Sequence, residues 1–203
     1  MRRTFAAIAR RRLAAYRRPG HGRFAGFGVE NVNGATTVFA VLARRIDGRC
    51  RARWYHVRLP LRPNGVEGWV RAVDVLLVPV RTRIIVDLSS RRVLLFVRGR
   101  RVMSAQAAIG TSATPTPVGS YYVNQRLIPS DPTGPFGPGA IGISAFSNVL
   151  TGWTQGGPVA IHGTNRPELI GQAVSNGCIR LRNEDLRRMF ARALAGTPVT
   201  VRT

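Results

Sequence analysis

Apolar and polar residues alternate at a strand-like period over most of the chain, and helical spacing enters only near its end. VFAVLARR (38–45), RARWYHVRLP (51–60) and EGWVRAVDVLLV (67–78) are short β-branched and aromatic runs. The turn signals Asp47-Gly48 and Pro63-Asn64-Gly65 separate them. Strands this short, joined by tight turns, predict a small sheet or barrel. Val78-Pro79-Val80 reads as a link, and strands resume beyond it. Arg83 to Leu88 and Arg92 to Val97 flank a Ser89-Ser90 turn, and Gly99 turns the chain into Val102 to Ile109. Tyr121 to Leu127, Ala140 to Ala145 and Pro158 to His162 follow, with a Gly/Pro-rich loop over 128–139. Pro167 to Val174 reads as a short helix with proline in its first turn. Asn183 reads as an N-cap, with Glu184 and Asp185 where the helix dipole favours negative charge. Leu186, Met189, Phe190 and Leu194 then share one face, Gly196 stops the helix, and PVTVR closes as a strand. The expected fold class is mainly β: a small β unit over 30–80, then a β-rich domain over 82–203 with one or two C-terminal helices.

Composition changes this picture at the start of the chain. The protein has 203 residues, 31 basic and 9 acidic, and every basic residue is Arg. Eight of them fall in the first 29 residues, which hold no acid. A secretory signal needs about 7–15 uninterrupted apolar residues after a basic start, and Arg10, Arg11 and Arg12 break the run after FAAIA. Residues 1–29 therefore read as a short basic amphipathic helix ended by Pro19-Gly20, as a disordered tail, or as translated sequence upstream of the true start. The remainder is still strongly basic and suits polyanions: nucleic acid, anionic lipid, wall polymers or acidic peptides. With 44% apolar residues a packed core is expected. Trp54 and Trp69 are expected to be core aromatics rather than ligand platforms. Two cysteines form at most one bridge, and Cys50, in a turn between two Arg, reads as incidental.

Candidate chemistry is scarce enough to allow elimination. The chain has no HExxH, no paired CxxC and no Gly-rich loop ending in Lys-Ser/Thr, so zinc hydrolase and P-loop chemistry are unsupported. Glu184 and Asp185 are accounted for by the helix start, and Asp131 lies in a loop, which leaves no carboxylate pair for glycoside hydrolysis. What remains is Ile161-His162-Gly163-Thr164 and, 16 residues after the histidine, Ser175-Asn176-Gly177-Cys178-Ile179-Arg180. Cysteine catalysis needs a thiolate, an imidazole in reach and donors for an oxyanion. Arg180 and Arg182 favour a thiolate, Gly177 permits a tight turn, and the amides of Gly177 and Cys178 are candidate oxyanion donors. A small buried cysteine and a core histidine explain the same spacing about as well.

Two family resemblances bear on that choice. Trp54-Tyr55-His56-Val57-Arg58-Leu59-Pro60 and Gly68-Trp69-Val70 resemble parts of bacterial SH3-like domains. His162-Gly163 with Ser175-Asn176-Gly177-Cys178-Ile179-Arg180 resembles the hallmark of the YkuD-type L,D-transpeptidases. The stretch from Thr114 to Tyr121 (TPTPVGSY) and the opening IIVDLSSRRVLLFVRGRRV are similar to that family as well, so the resemblance covers about 82–203. Asn176 stands where histidine is commoner. The resemblance implies Cys178 as nucleophile and His162 as base. It also implies an oxyanion hole from Gly177 and Cys178, and substrate binding by Arg180, Ser175, Asn176, Gly163, Thr164 and Tyr121. Tyr122 and the 128–139 loop are expected to wall the groove or close over it.

The implied reaction joins peptidoglycan stem peptides in 3→3 cross-links, with no cofactor and no metal. The alternatives are L,D-carboxypeptidase trimming and a non-catalytic basic wall binder. Anionic wall polymers are possible further partners, carbapenem-type β-lactams are the implied covalent inhibitors, and no nucleic acid is expected. The expected state is a monomer, located outside the cytoplasmic membrane. A papain-like peptidase is disfavoured, because those place Cys before His.

Overall fold

The structure, a computed structural model, describes residues 4–203. The chain divides into two compact units, Met1–Val80 and Arg81–Thr203.

The first unit is one seven-stranded sheet. Its strands are β1 (Thr4–Ala9), β2 (Leu13–Arg18), β3 (His21–Phe27), β4 (Val38–Ile46), β5 (Ala52–Arg58), β6 (Glu67–Arg71) and β7 (Val75–Val80), in the spatial order β3-β2-β6-β5-β4-β1-β7. The expectation for residues 1–29 is corrected here; residues 1–3 lie outside the described residues, and Thr4–Phe27 forms three strands. Ala7, Ala9, Leu13 and Ala15 join Phe39, Val57 and Val70 in the core, following the two-residue alternation. The Arg10–Arg12 run that breaks the apolar stretch is the exposed corner between β1 and β2, where the Arg10 amide donates to the Asp74 carbonyl.

Since β1 lies between β4 and β7, the unit cannot begin at residue 30. Pro79 belongs to β7 rather than to a linker, and it is tolerated there because β7 is a sheet edge. Trp54 and Trp69 are half-buried on the face opposite Tyr55, Val57 and Val70, so they are not the core aromatics expected.

The second unit contains β8 (Thr82–Asp87), β9 (Arg92–Val97), β10 (Arg100–Gly110), β11 (Gly119–Leu127), β12 (Ala140–Phe146), β13 (Pro158–His162), β14 (Ala173–Ser175), β15 (Ile179–Leu181), α1 (Asn183–Phe190) and β16 (Pro198–Arg202). The strand order is β14-β10-β15-β13-β12-β11-β16-β8-β9, and β9 also pairs with β10, which closes a barrel with β14 at its side. Ile84, Leu95, Ile141, Ile143, Ile161, Ile179 and Leu181 fill the core, with Leu186 and Met189 of α1 added to it. Mainly β architecture with one α-helix is as expected.

Details of the helical segments differ. Pro167–Leu169 makes a single 3-10 turn, and the chain then enters β14 instead of continuing as a helix to Val174. The N-cap of α1 is Arg182, and no side chain caps the helix. Asn183 is its first residue, with Glu184 and Asp185 in the first turn. The helix ends at Phe190, so Leu194 lies beyond it and is 57% exposed. No helix among the described residues is long and apolar enough to cross a membrane.

Candidate active site

Strand alternation and register bring the two candidate reactive groups together. Ile161 of β13 and Ile179 and Leu181 of β15 face the barrel core, so Ala160, His162, Cys178 and Arg180 face outward. β13 and β15 are parallel, with Ile161 opposite Ile179 and His162 opposite Arg180. Continuing that register sets Cys178 beside Ala160, on the same outer face as His162. Two residues of rise and one strand spacing separate their Cα atoms by about 8 Å. That spacing is within what an imidazole and a thiol on one face can bridge by side-chain rotation.

His162 is only 4% exposed. Its Nδ1 lies 2.6 Å from the Gly163 carbonyl oxygen. A carbonyl only accepts, so Nδ1 carries the proton and Nε2 keeps its lone pair. Burial pulls the imidazole pKa down to about 4, opposed by the Gly163 bond and helped by the charge of Arg180. The ring is therefore a neutral base at pH 7. Phe136, from the loop 128–139, lies with its ring centroid 4.9 Å from that of His162.

Cys178 is half-buried. Its surroundings push the thiol pKa up by desolvation, while a backbone hydrogen bond from Ala160 and the charge of Arg180 favour the thiolate. Thiol and imidazole are thus both neutral at pH 7.

Ser175, with no exposed surface, knits the turn that carries the thiol. Its hydroxyl donates to the Cys178 carbonyl at 2.5 Å and accepts the Gly177 N–H at 3.1 Å. Gly177 has φ +104°, a conformation that L side chains rarely adopt. The TPTP segment braces this turn from behind. The Thr114 hydroxyl donates to the Ser175 carbonyl at 3.0 Å, and Thr116 accepts the Gly110 N–H at 2.9 Å. The Gly110 N–H, otherwise orphaned in a buried place, finds its partner there.

A second clamp holds the histidine turn. The Asn183 side-chain oxygen accepts the Thr164 N–H at 2.8 Å. The same atom fills the space where a Cβ on Gly137 or Gly163 would sit, so both must be glycine for the 128–139 loop to close against His162-Gly163-Thr164. Thr164, also buried, accepts the Arg166 amide at 3.0 Å. An open depression of about 510 Å³ lies beside this turn, walled by Thr164, Asn165, Arg182 and Arg187 among others.

The expected site residues meet different fates. Ser175, Gly177, Cys178 and Arg180 share one turn and strand start, with His162, Gly163 and Thr164 on the neighbouring strand end. Asn176 is exposed at the tip of the Ser175–Cys178 turn. Tyr121 is not a groove residue: it is 4% exposed, belongs to the barrel core, and its hydroxyl donates to the Val118 carbonyl. Strand parity explains this, because Tyr121 and Val123 face the same way as the core residues. The Gly177 N–H is already held by the Ser175 hydroxyl, whereas no such side-chain bond is seen for the Cys178 N–H among the described residues. Phe136 belongs to the loop expected to wall the groove, whereas the hydrogen bonds made by Thr114 and Asn183 were not anticipated. Asn183 had a sufficient local explanation as a helix cap, and its long-range role has no signal in residue spacing.

A family model for the L,D-transpeptidase catalytic domain matches residues 81–201. YkuD of Bacillus licheniformis is 35% identical over 119 residues, 59% of this chain and 64% of that protein. YkuD of Bacillus subtilis is 33% identical over 118 residues, 58% and 64% of the two chains. The chain therefore spans a little under two thirds of the length of these relatives. L,D-transpeptidase 3 from Mycobacterium tuberculosis, solved with a faropenem-derived adduct, shares the fold at a TM-score of 0.52 and 18% identity, covering 83% of this chain and 92% of that one. With its His-Gly and Ser-Asn-Gly-Cys-Ile-Arg segments joined on one barrel face, the chain belongs to the YkuD family of L,D-transpeptidases.

Proposed function

We propose that the chain forms 3→3 cross-links in peptidoglycan through a Cys178 acyl-enzyme. The observation that carries the proposal is a neutral imidazole with its proton pinned on Nδ1, turned outward on the strand beside Cys178. As the carbonyl of the third stem residue approaches, the Cys178 thiol gives its proton to His162 Nε2. The sulfur then forms a bond to that carbonyl carbon. The oxyanion takes a hydrogen bond from the Cys178 N–H, the one of the two candidate amides left after Ser175 engages Gly177. The intermediate collapses by breaking the amide C–N bond, and His162 returns the proton to the departing D-alanine amine. A side-chain amine of a second stem attacks the thioester, its proton passes to His162, and the thiol is released protonated. Water in place of the amine gives trimming.

Substrate binding rests chiefly on Arg180. Its Nε is buried and has no hydrogen-bond partner among the described residues, and no ion pair among them involves it. A planar guanidinium whose Nε lacks a protein partner, close to the thiol, suits a stem carboxylate. Asn176 at the turn tip and Thr164 beside the depression complete the proposed contact surface, with Ser175 and Gly163 shaping the backbone around it. A peptidoglycan substrate implies an extracytoplasmic location.

The test uses the full chain. Incubation with a carbapenem or faropenem is expected to add one covalent adduct by intact mass, absent in Cys178→Ala. Incubation with tetrapeptide-bearing muropeptides is expected to yield 3→3 dimers. Absence of any adduct on the folded protein overturns the acyl-enzyme, and tripeptide products without dimers assign trimming instead.

A further inference from the structure

The first unit presents a face that the chemistry above does not use. On β5, Tyr55 and Val57 enter the core while Trp54 and His56 turn to the other side. Cross-strand register carries this face onward: His56 lies opposite Trp69, and Trp69 opposite Tyr16. His56 stacks on Trp69 with centroids 4.9 Å apart and planes 25° from parallel, and Tyr16 meets Trp54 edge-on at 5.3 Å. Trp54 itself is flanked in register by Arg45 on β4 and Arg71 on β6. It also forms one wall of an open depression of about 490 Å³, shared with Arg18, His21, Arg45, Arg53 and Asp47.

The charges in this depression are not matched within the unit. Among the described residues, no ion pair involves Arg18, Arg45 or Arg53. The acid on its wall, Asp47, is already engaged through Oδ1 by the amides of Arg49 and Arg51. An indole wall beside unneutralised guanidinium groups recognises a ring with an apolar face that carries carboxylates. A nucleic acid fits less well, since serial base stacking needs a row of open ring faces. Here Trp69 is covered by His56, and the Tyr16 and Trp54 rings already contact each other edge to face.

We propose that the Trp54 depression binds the glycan strand of uncross-linked peptidoglycan, with a sugar face on the indole and stem-peptide carboxylates on Arg45 and Arg53. The site holds the polymer independently of the reaction at Cys178. The choice of polymer rests on the function proposed above, but the binding chemistry does not.

The test measures co-sedimentation and tryptophan fluorescence of the full chain with soluble glycan strands bearing tetrapeptide stems. Arg45→Gln/Arg53→Gln is expected to weaken binding at least tenfold, as is Trp54→Ala, while the rate of carbapenem adduct formation at Cys178 stays unchanged. Amidating the carboxylates of the glycan is expected to produce the same loss. Should Trp54→Ala fail to fold, the exposed arginine pair carries the test alone. Unchanged binding by a folded Arg45→Gln/Arg53→Gln protein overturns the proposal, as does a single-stranded oligonucleotide that binds more tightly than the glycan. Cys178→Ala is expected to bind glycan normally, so failure of the acyl-enzyme and failure of this site are read separately.

Discussion

Replacing Ser175 by alanine isolates the bracing of the Ser175–Cys178 turn from the chemistry proposed for it. The hydroxyl has no exposed surface, donates to the Cys178 carbonyl and accepts the Gly177 amide. Its removal takes this partner from a half-buried acceptor and a buried donor. Each unsatisfied group costs about 1–3 kcal/mol, so the variant is expected to lose roughly 2–6 kcal/mol of stability in the second unit. For a domain of this size that corresponds to a fall in melting temperature of roughly 10 °C. Calorimetry on the full chain reads the total. Hydrogen exchange, followed peptide by peptide over 81–203, shows whether the loss centres on 173–181. Adduct formation with a carbapenem is expected to slow as well, because the Cys178 amide and thiol move with the loosened turn. Ser175→Cys, which keeps a weak donor, is expected to recover part of both effects. A Ser175→Ala protein within about 0.5 kcal/mol of the parent, with ordinary exchange across 173–181, refutes the bracing role.

Two further outcomes follow from the site. The folded-state pKa of His162, about 4, lies below the ordinary histidine value of 6.5. Between those values the unfolded chain binds the proton first. The contribution is therefore complete above about pH 6.5 and is lost as the pH falls through 4, by roughly 3 kcal/mol. Urea unfolding at pH 7 and pH 4 is expected to show this loss, and His162→Gln is expected to reduce it; equal pH slopes contradict burial as the cause. Asn183→Ala removes the acceptor of the Thr164 amide and opens the seam between Gly137 and Gly163. It is expected to cost about 1–3 kcal/mol and to expose 128–139 to limited proteolysis; an unchanged cleavage rate rules out the clamp.

What sequence alone determined about this protein is local or eliminative. The runs at Arg92–Val97 and Pro158–His162 alternate cleanly because each packs one face on the barrel core, and their bounds were legible to the residue. His162 and Cys178 stood out because so few other groups offered chemistry, and the family segments around them strengthened that choice. Tertiary structure alone decided the rest, because it depends on partners distant along the chain. Ala7 and Leu13 sit in short runs broken by arginine, and only the neighbouring strands reveal them as core. Tyr121 shares its strand with outward residues, so strand parity against the barrel had to assign its side. The Gly177 amide looks free in any reading of Ser-Asn-Gly-Cys until the Ser175 rotamer occupies it. Asn183 reads as a cap until the 128–139 loop arrives beside it. The placing of His162 and Cys178 on neighbouring strand ends comes from the parallel pairing of β13 with β15, and residue spacing carries no record of strand register.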